Sequence, residues 1–181
     1  MDGVQVAHTA DLDAAALRAV RDLLEGAFTD DVDGGFTEED WDHAVGGVHA
    51  IVWEGGAPIA HASVVQRRLL HAGRALRTGY VEAVAVRADR RRRGHGHAVM
   101  AAVERVVRGA YELGALGASD EGVALYEARG WRRWEGPTSA LTPDGIVRTP
   151  DDDGGIYVLP VDAPLDLAGE LTCDWRTGEV W

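Results

Sequence analysis

The chain has 181 residues, 46% of them hydrophobic, which is enough for one domain with a substantial buried core. Its formal net charge of −12, from 18 basic and 30 acidic side chains, argues against nucleic-acid binding, where phosphates need a positive surface. A single cysteine, Cys173, excludes an internal disulfide framework and a cysteine-based zinc cluster. No metal is expected, no apolar run is long enough to span a bilayer, and a cytoplasmic location is the default.

Gln5 to His8 reads as a short strand leading into the capping residues Thr9-Ala10-Asp11. Leu17, Val20, Leu24 and Phe28 recur at helical spacing, so an amphipathic helix is expected over Asp13 to Phe28. Turn residues from Thr29 to Gly35 predict an exposed loop, and Thr37 then caps a second short helix that runs to about Val45. His49 to Glu54 is a strand, Gly55-Gly56 a hairpin turn, and Ile59 to Leu70 the returning strand. After the turn at His71-Ala72-Gly73, a long strand covers Arg77 to Val86, in which Gly79 marks a bulge or a close backbone approach. A crossover helix follows over 94–111, its buried face predicted at Val99, Val103, Val106 and Ala110.

Leu113 to Ala118 is a short strand of small residues, and Ser119-Asp120 can cap a helix from Glu121 to Ala128 that Gly130 stops. Trp131 to Trp134 and Thr138 to Thr142 are strand-like, Asp144-Gly145 is a turn, 149–155 is a loop, and Ile156 to Pro160 is a strand. The tail from Val161 to Trp181 has little periodicity but ends on an aromatic, which suggests that it is pinned to the body. The order is that of a mixed α/β sheet with helices on both faces and no internal repeat or linker.

The densest chemistry lies between Val81 and Gly96. Val81 to Val86 is an apolar β-branched run interrupted by one carboxylate, Glu82, and Arg91-Arg92-Arg93-Gly94-His95-Gly96 opens the following helix. A strand, a glycine-containing loop and a helix start bring several backbone N–H groups to one point, and such a point binds anions. Five arginines lie between Arg87 and Arg93, whereas Asp30 to Asp42, Asp151 to Asp153 and the tail around Asp174 and Glu179 are acidic. One basic spot in an acidic molecule suggests a polyanionic cofactor beside a cationic second ligand, although solubilising charge on loops accounts for the pattern equally well.

Arg-x-x-Gly-x-Gly at 91–96 resembles the pyrophosphate-binding signature of the Gcn5-related N-acetyltransferases, which take acetyl groups from acetyl-CoA. About thirty residues on, Leu125-Tyr126-Glu127-Ala128-Arg129-Gly130-Trp131 resembles that family's L-Y-x-x-x-G-F/W segment. Gly79-Tyr80-Val81-Glu82, Gly136-Pro137-Thr138-Ser139, Thr149 to Gly154 and the ending Cys173 to Trp181 look like the aminoglycoside 2′-N-acetyltransferases, a resemblance over essentially the whole chain. It implies a Gcn5-related N-acetyltransferase fold: a mixed, mostly antiparallel central sheet with helices on both faces and a splayed strand pair for the CoA arm. It also implies a single N-acetyltransferase domain over 1–181, with 161–181 a tail packed at the active site. The implied reaction is direct acetyl transfer from acetyl-CoA to the 2′-amine of an aminoglycoside in a ternary complex. A homodimer is compatible with it, with an extra strand near the C-terminus as the pairing element.

The resemblance also assigns roles. Glu82 would bind substrate and relay the ammonium proton through water, and Tyr126 would be the general acid for the departing thiolate. The carboxylate of Trp181 would join them at the acceptor. Val84, Ala85 and Val86 would pair with the pantetheine arm as an added strand does, and Arg91, Arg92, Arg93, Gly94, His95, Gly96 and His97 would hold the diphosphate. Ala83, Asp152, Asp151, Glu179, Asp40 and Gly117 complete the acceptor site with Glu82 and Trp181. Plainer readings stand beside these: Glu82 as an outward-facing strand residue, Tyr126 as a buried aromatic, Trp181 as a loose end and Asp40 as a helix-start residue. The chain departs from the family pattern at Gly35, where the family has an aspartate, with the nearest acid at Asp33, and at Gly117, where a small polar residue is expected. Acetylation of another cationic amine (a cell-wall precursor, polyamine or peptide) and non-catalytic binding are the competing functions.

Overall fold

The computed structural model describes residues 3–29 and 35–181. Most of the expected loop after the first helix, including Asp33, lies outside the described residues. Contacts divide the chain into two units, Met1–Val65 with Val81–Arg105, and Gln66–Tyr80 with Val106–Trp181.

The first unit opens with β1 (Gln5–His8), a 3₁₀ turn at Thr9–Asp11, α1 (Ala14–Ala27), α2 (Glu38–Ala44) and β2 (Val48–Glu54). It also takes the first part of β3 (Ala57–His71), the end of β4 (Arg74–Val86) and most of α3 (His95–Ala110). β1 pairs antiparallel with β2, and β2 with β3, the latter register shifting between Val52 and Trp53. Asp13 caps α1 by accepting from the Ala15 and Ala16 N–H groups. Thr37 and Asp40 form a reciprocal capping box on α2, as the sequence suggests for Thr37. Leu12, Val20, Leu24, Ile51 and Ala85 form the buried cluster under α1, with Phe28, Phe36, Trp41 and Ala83 packed against it.

The second unit holds β5 (Leu113–Gly117), α4 (Asp120–Glu127), β6 (Arg132–Arg133), β7 (Thr138–Thr142), β8 (Gly145–Arg148), β9 (Ile156–Pro160) and β10 (Leu171–Asp174). With the end of β3 and the start of β4, the strand order is β6-β9-β5-β4-β3-β10-β7-β8. β5 and β9, β6 and β9, β7 and β8, and β3 and β10 pair antiparallel, whereas β4 and β5, and β7 and β10, pair parallel. The β4–β5 ladder runs from Thr78↔Leu113 to Tyr80↔Ala115 and ends there, although β4 continues to Val86. That is the parting of strands that the resemblance implies. Gly79 and Gly114 face each other across this ladder. A Cβ at Gly79 would sit 2.7 Å from the Tyr111 ring, and one at Gly114 3.0 Å from Val107 and 3.2 Å from Trp131. Gly79 thus marks a close approach in a regular ladder, not a bulge.

Three expectations change. The buried face of α3 is Val99, Met100, Val103, Glu104 and Val107; Val106 is half-buried and Ala110 exposed. Spacings of three and four admit either stripe, and the carboxylate of Glu104 hid the true one. Residues 145–148, adjoining the expected turn, form the strand β8. The tail contains β10, whose Leu171, Thr172 and Cys173 are all buried, so there is no alternation to read. Because β10 is paired on both sides, by β3 and β7, it is not the extra strand that would join two subunits. The strands at the ends of the order are β6, whose two arginines are exposed, and β8, where Ile146 and Val147 are 59% and 51% exposed.

Candidate functional site

The residues expected to meet the donor follow one another in the first unit. Within β4 the one residue with a positive φ is Ala83, whose +51° is left-handed. For a residue with a Cβ that conformation costs roughly 1–2 kcal/mol, so the surroundings must hold it. The twist falls between Glu82 and Val84, both half-buried, and Ala85 returns to the core under α1. Behind it Ser63 Oγ donates to the Glu82 carbonyl at 3.4 Å, and His61 Nδ1 lies 2.8 Å from the Ala83 carbonyl oxygen.

After β4 the arginines fall into two groups. Arg87 and Arg90 are engaged locally: Arg87 pairs with Asp89 at 2.7 Å and with Glu54 at 3.8 Å, and Arg90 pairs with Asp89 at 2.7 Å and also with Glu54. Their guanidinium groups hold the Glu54 and Asp89 carboxyls below the ordinary carboxylate range. Arg91, Arg92 and Arg93 are exposed at the loop, Arg91 Nε donating to the Val86 carbonyl at 3.4 Å. Arg92 has φ +59° and Gly94 φ +84°, a turn that leads the chain into α3. The first backbone N–H to close an α-helical bond there is that of Ala98, onto the Gly94 carbonyl at 3.0 Å. The turn 95–97 therefore lies ahead of the hydrogen-bond ladder of a 16-residue helix, at its positive end. No atom lies within 4 Å of where a Cβ on Gly94 would stand, so a bulky diphosphate can approach the backbone. Exposed guanidinium groups and this open helix start fit the diphosphate of acetyl-CoA.

Of the residues expected at the acceptor, Trp181, Glu179 and Gly117 lie together in the second unit. Trp181 is 7% exposed, and its indole Nε1 donates to Thr149 Oγ1 at 2.9 Å. Arg176 Nη2 donates to an oxygen of the Trp181 main-chain carboxylate at 2.7 Å, and its Nε to the Glu179 carbonyl at 2.7 Å. Gly117 joins them, since a Cβ there would lie 3.7 Å from the Tyr80 hydroxyl and 4.0 Å from the Trp181 carboxylate carbon. A side chain at that position would enter the space between those two groups.

Asp152 follows Thr149 on a 3₁₀ turn, and its carboxyl is pushed above the ordinary range, chiefly by burial and further by Asp151 and Asp153. Such a carboxylate gains from a cation. Asp153 instead braces the loop. Its carboxylate accepts from the Thr138 N–H and hydroxyl and from Arg148, at 2.7–2.9 Å, and its pKa is lowered accordingly. Asp151 and the Glu179 side chain are exposed. Tyr126 is buried beside Trp131, with ring centroids 6.3 Å apart, and burial pushes its phenol up to about 12. In the first unit the Asp40 Oδ2 accepts from the Thr37 N–H and hydroxyl, which makes it a helix-capping carboxylate.

Two features carry no motif in the sequence. One is Arg67, 4% exposed, whose Nε donates to Asp174 Oδ1 at 2.8 Å and whose Nη2 donates to the Asp174 and Val180 carbonyls at 2.9 and 2.7 Å. Its guanidinium lies 4.7 Å from the centroid of the Tyr80 ring. The other is a buried histidine pair, His49 and His61, each fully buried. The one available signal for either was a polar residue inside an apolar strand pattern.

The acetyltransferase (GNAT) family model matches residues 17–131. An aminoglycoside 2′-N-acetyltransferase of Mycolicibacterium fortuitum is 54% identical over 98% of this chain and 91% of its own length. Among solved structures, Escherichia coli ElaA superposes with a TM-score of 0.64 at 17% identity, covering 87% of this chain and 99% of its own. A GNAT family acetyltransferase from Brucella melitensis, solved in complex with acetyl-CoA, gives a TM-score of 0.63 at 12% identity, covering 94% of this chain and 96% of its own. The parted β4–β5 ladder, the glycine turn into α3 and these matches lead to one assignment: the chain belongs to the acetyltransferase (GNAT) family.

Proposed function

We propose that this chain transfers the acetyl group of acetyl-CoA directly to the 2′-amine of an aminoglycoside. The observation that carries the reading is the 54% identity, along almost the whole chain, to a relative with that name. The exposed Arg91–Arg93 turn and the start of α3 take the diphosphate, and the backbone of Val84 to Val86 takes the pantetheine arm. Glu82 accepts the proton of the substrate ammonium through water, so that a neutral amine attacks the thioester carbonyl. When the tetrahedral adduct collapses, the carbon–sulfur bond breaks and the thiolate leaves. Tyr126, protonated throughout the neutral range, supplies the hydrogen bond and then the proton to that sulfur. Asp152, with Asp151, Glu179 and Trp181, supplies the negative charge that a polycation seeks.

Release of CoA over a panel of drugs tests this. Gentamicin and tobramycin, which carry a 2′-amine, are expected to release CoA, whereas kanamycin A and amikacin, which carry a 2′-hydroxyl, are not. Equal turnover of both groups would overturn the 2′ assignment, and turnover of polyamines or cell-wall amines alone would move the substrate to another cationic amine.

Two further parts of the reading concern the cell and the assembly. Among the described residues no helix is long and apolar enough to cross a membrane, which supports a cytoplasmic enzyme. A homodimer joined along β8 is supported by that strand's exposed Ile146 and Val147. Light scattering is expected to give twice the mass of the 19.4 kDa chain, falling to one chain in Ile146→Asp/Val147→Asp. A monomeric mass for the unaltered protein removes the dimer.

A further inference from the structure

The buried pair His49 and His61 belongs to a chain of hydrogen bonds that ends on the strained residue of the donor strand. Thr9 Oγ1 lies 2.8 Å from His49 Nε2, His49 Nδ1 lies 2.9 Å from His61 Nε2, and His61 Nδ1 lies 2.8 Å from the Ala83 carbonyl oxygen. The last contact fixes all the others. A carbonyl only accepts, so His61 carries its proton on Nδ1 and, being neutral, accepts at Nε2. His49 must then donate from Nδ1 and accept at Nε2, where the Thr9 hydroxyl donates its one proton at 2.8 Å in place of the Gly47 carbonyl, which lies 3.2 Å from the same oxygen. The Thr9 oxygen in turn accepts from the Gly46 N–H at 2.9 Å. Every ring nitrogen is used, with one direction throughout. Burial keeps both rings neutral, pushing His49 down to about 4 and His61 down to about 3.

Strand register explains the alignment. His49 stands opposite Ser63 on the β2–β3 ladder, and His61 is two residues from Ser63, so all three side chains share a face. From that face Ser63 and His61 reach the consecutive carbonyls of Glu82 and Ala83. At a left-handed residue a carbonyl turns out of the regular ladder, and here side-chain donors take over. The two residues flanking the twist are the ones that matter to the reaction: Glu82 for the acceptor's proton and Val84 for the pantetheine arm.

We propose that His61, with His49 and Thr9 behind it, is a positioning residue that holds the twist at Ala83 and so aims Glu82 and the Val84 backbone. The inference rests on the acetyltransferase reading and adds to it a buried polar relay that touches no reactant.

The test compares His61→Phe, which keeps a ring without a donor, with His61→Asn, whose amide nitrogen stands close to the place of Nδ1. His61→Phe is expected to weaken acetyl-CoA binding by calorimetry about tenfold and to lower kcat about tenfold, while the KM for the amine stays within about twofold. His61→Asn restores binding and kcat to within about threefold, although it severs the contact with His49. Should His61→Phe fail to fold, ¹⁵N NMR on the unaltered protein decides, because His61 must appear as the Nδ1–H tautomer. An Nε2–H tautomer, or equal acetyl-CoA affinity in His61→Phe and the unaltered chain, overturns the inference alone. An unaltered chain that does not bind acetyl-CoA overturns the acetyltransferase reading and this inference with it.

Discussion

Glu82→Gln is expected to lower kcat by about 100-fold at neutral pH, the lower end of what a positioned acid or base contributes. The substitution keeps the size of the side chain and its place in β4 but removes the group that accepts a proton. The defect must shrink as pH rises. A substrate ammonium that loses its proton to solvent no longer needs Glu82, so the two kcat profiles converge on the alkaline side. The KM for acetyl-CoA is expected to stay unchanged, because the proposed donor contacts are backbone and arginine rather than this carboxylate. Steady-state rates from pH 6 to 10 check the point. A defect that is the same at every pH would assign Glu82 to substrate binding, and no defect would remove it from the mechanism.

Arg67→Met carries the largest expected effect on stability. Arg67 ties Asp174, at the end of β10, to Val180 near the end of the chain, and its side chain is 5% exposed. Losing one partner of a buried ion pair costs about 3–5 kcal/mol, and Asp174, with 39% of its side chain exposed, recovers part of that through water. A loss of about 3 kcal/mol, or about 10 °C in Tm, is expected by calorimetry. The released tail carries Trp181 with it, so the KM for the aminoglycoside rises while that for acetyl-CoA holds. An unchanged Tm would show that Arg67 is incidental to the tail. A fall in Tm with both KM values intact would separate the tail from substrate binding.

The sequence disclosed most where backbone chemistry sets the structure. A β-branched run, a glycine turn and a helix start are local, so the strand, turn and helix start from Val81 to Gly96 were legible, and Thr37 and Gly79 announced a cap and a close approach. The long-range contacts were not. Arg67 and Asp174 are separated by 107 positions, and nothing in either neighbourhood predicts that they meet. β10 was hidden because burial on both faces erases alternation, and the face of α3 because a buried glutamate reads as an exposed one. Asp40, expected at the substrate, is in a capping box, a role that its three-residue spacing from Thr37 already allowed.

Cys173, fully buried in the middle of β10 and with its thiol pushed up to about 11 by burial, has a practical consequence. A thiolate is the species that attacks thiol reagents, and a buried thiol held neutral presents almost none of it. A chromogenic disulfide added to the folded protein therefore reads only the CoA thiol that the reaction releases, with no background from the enzyme. When the fold opens, Cys173 becomes accessible and consumes one equivalent of the same reagent. One dye then counts turnovers in the native protein and, with acetyl-CoA withheld, times its unfolding.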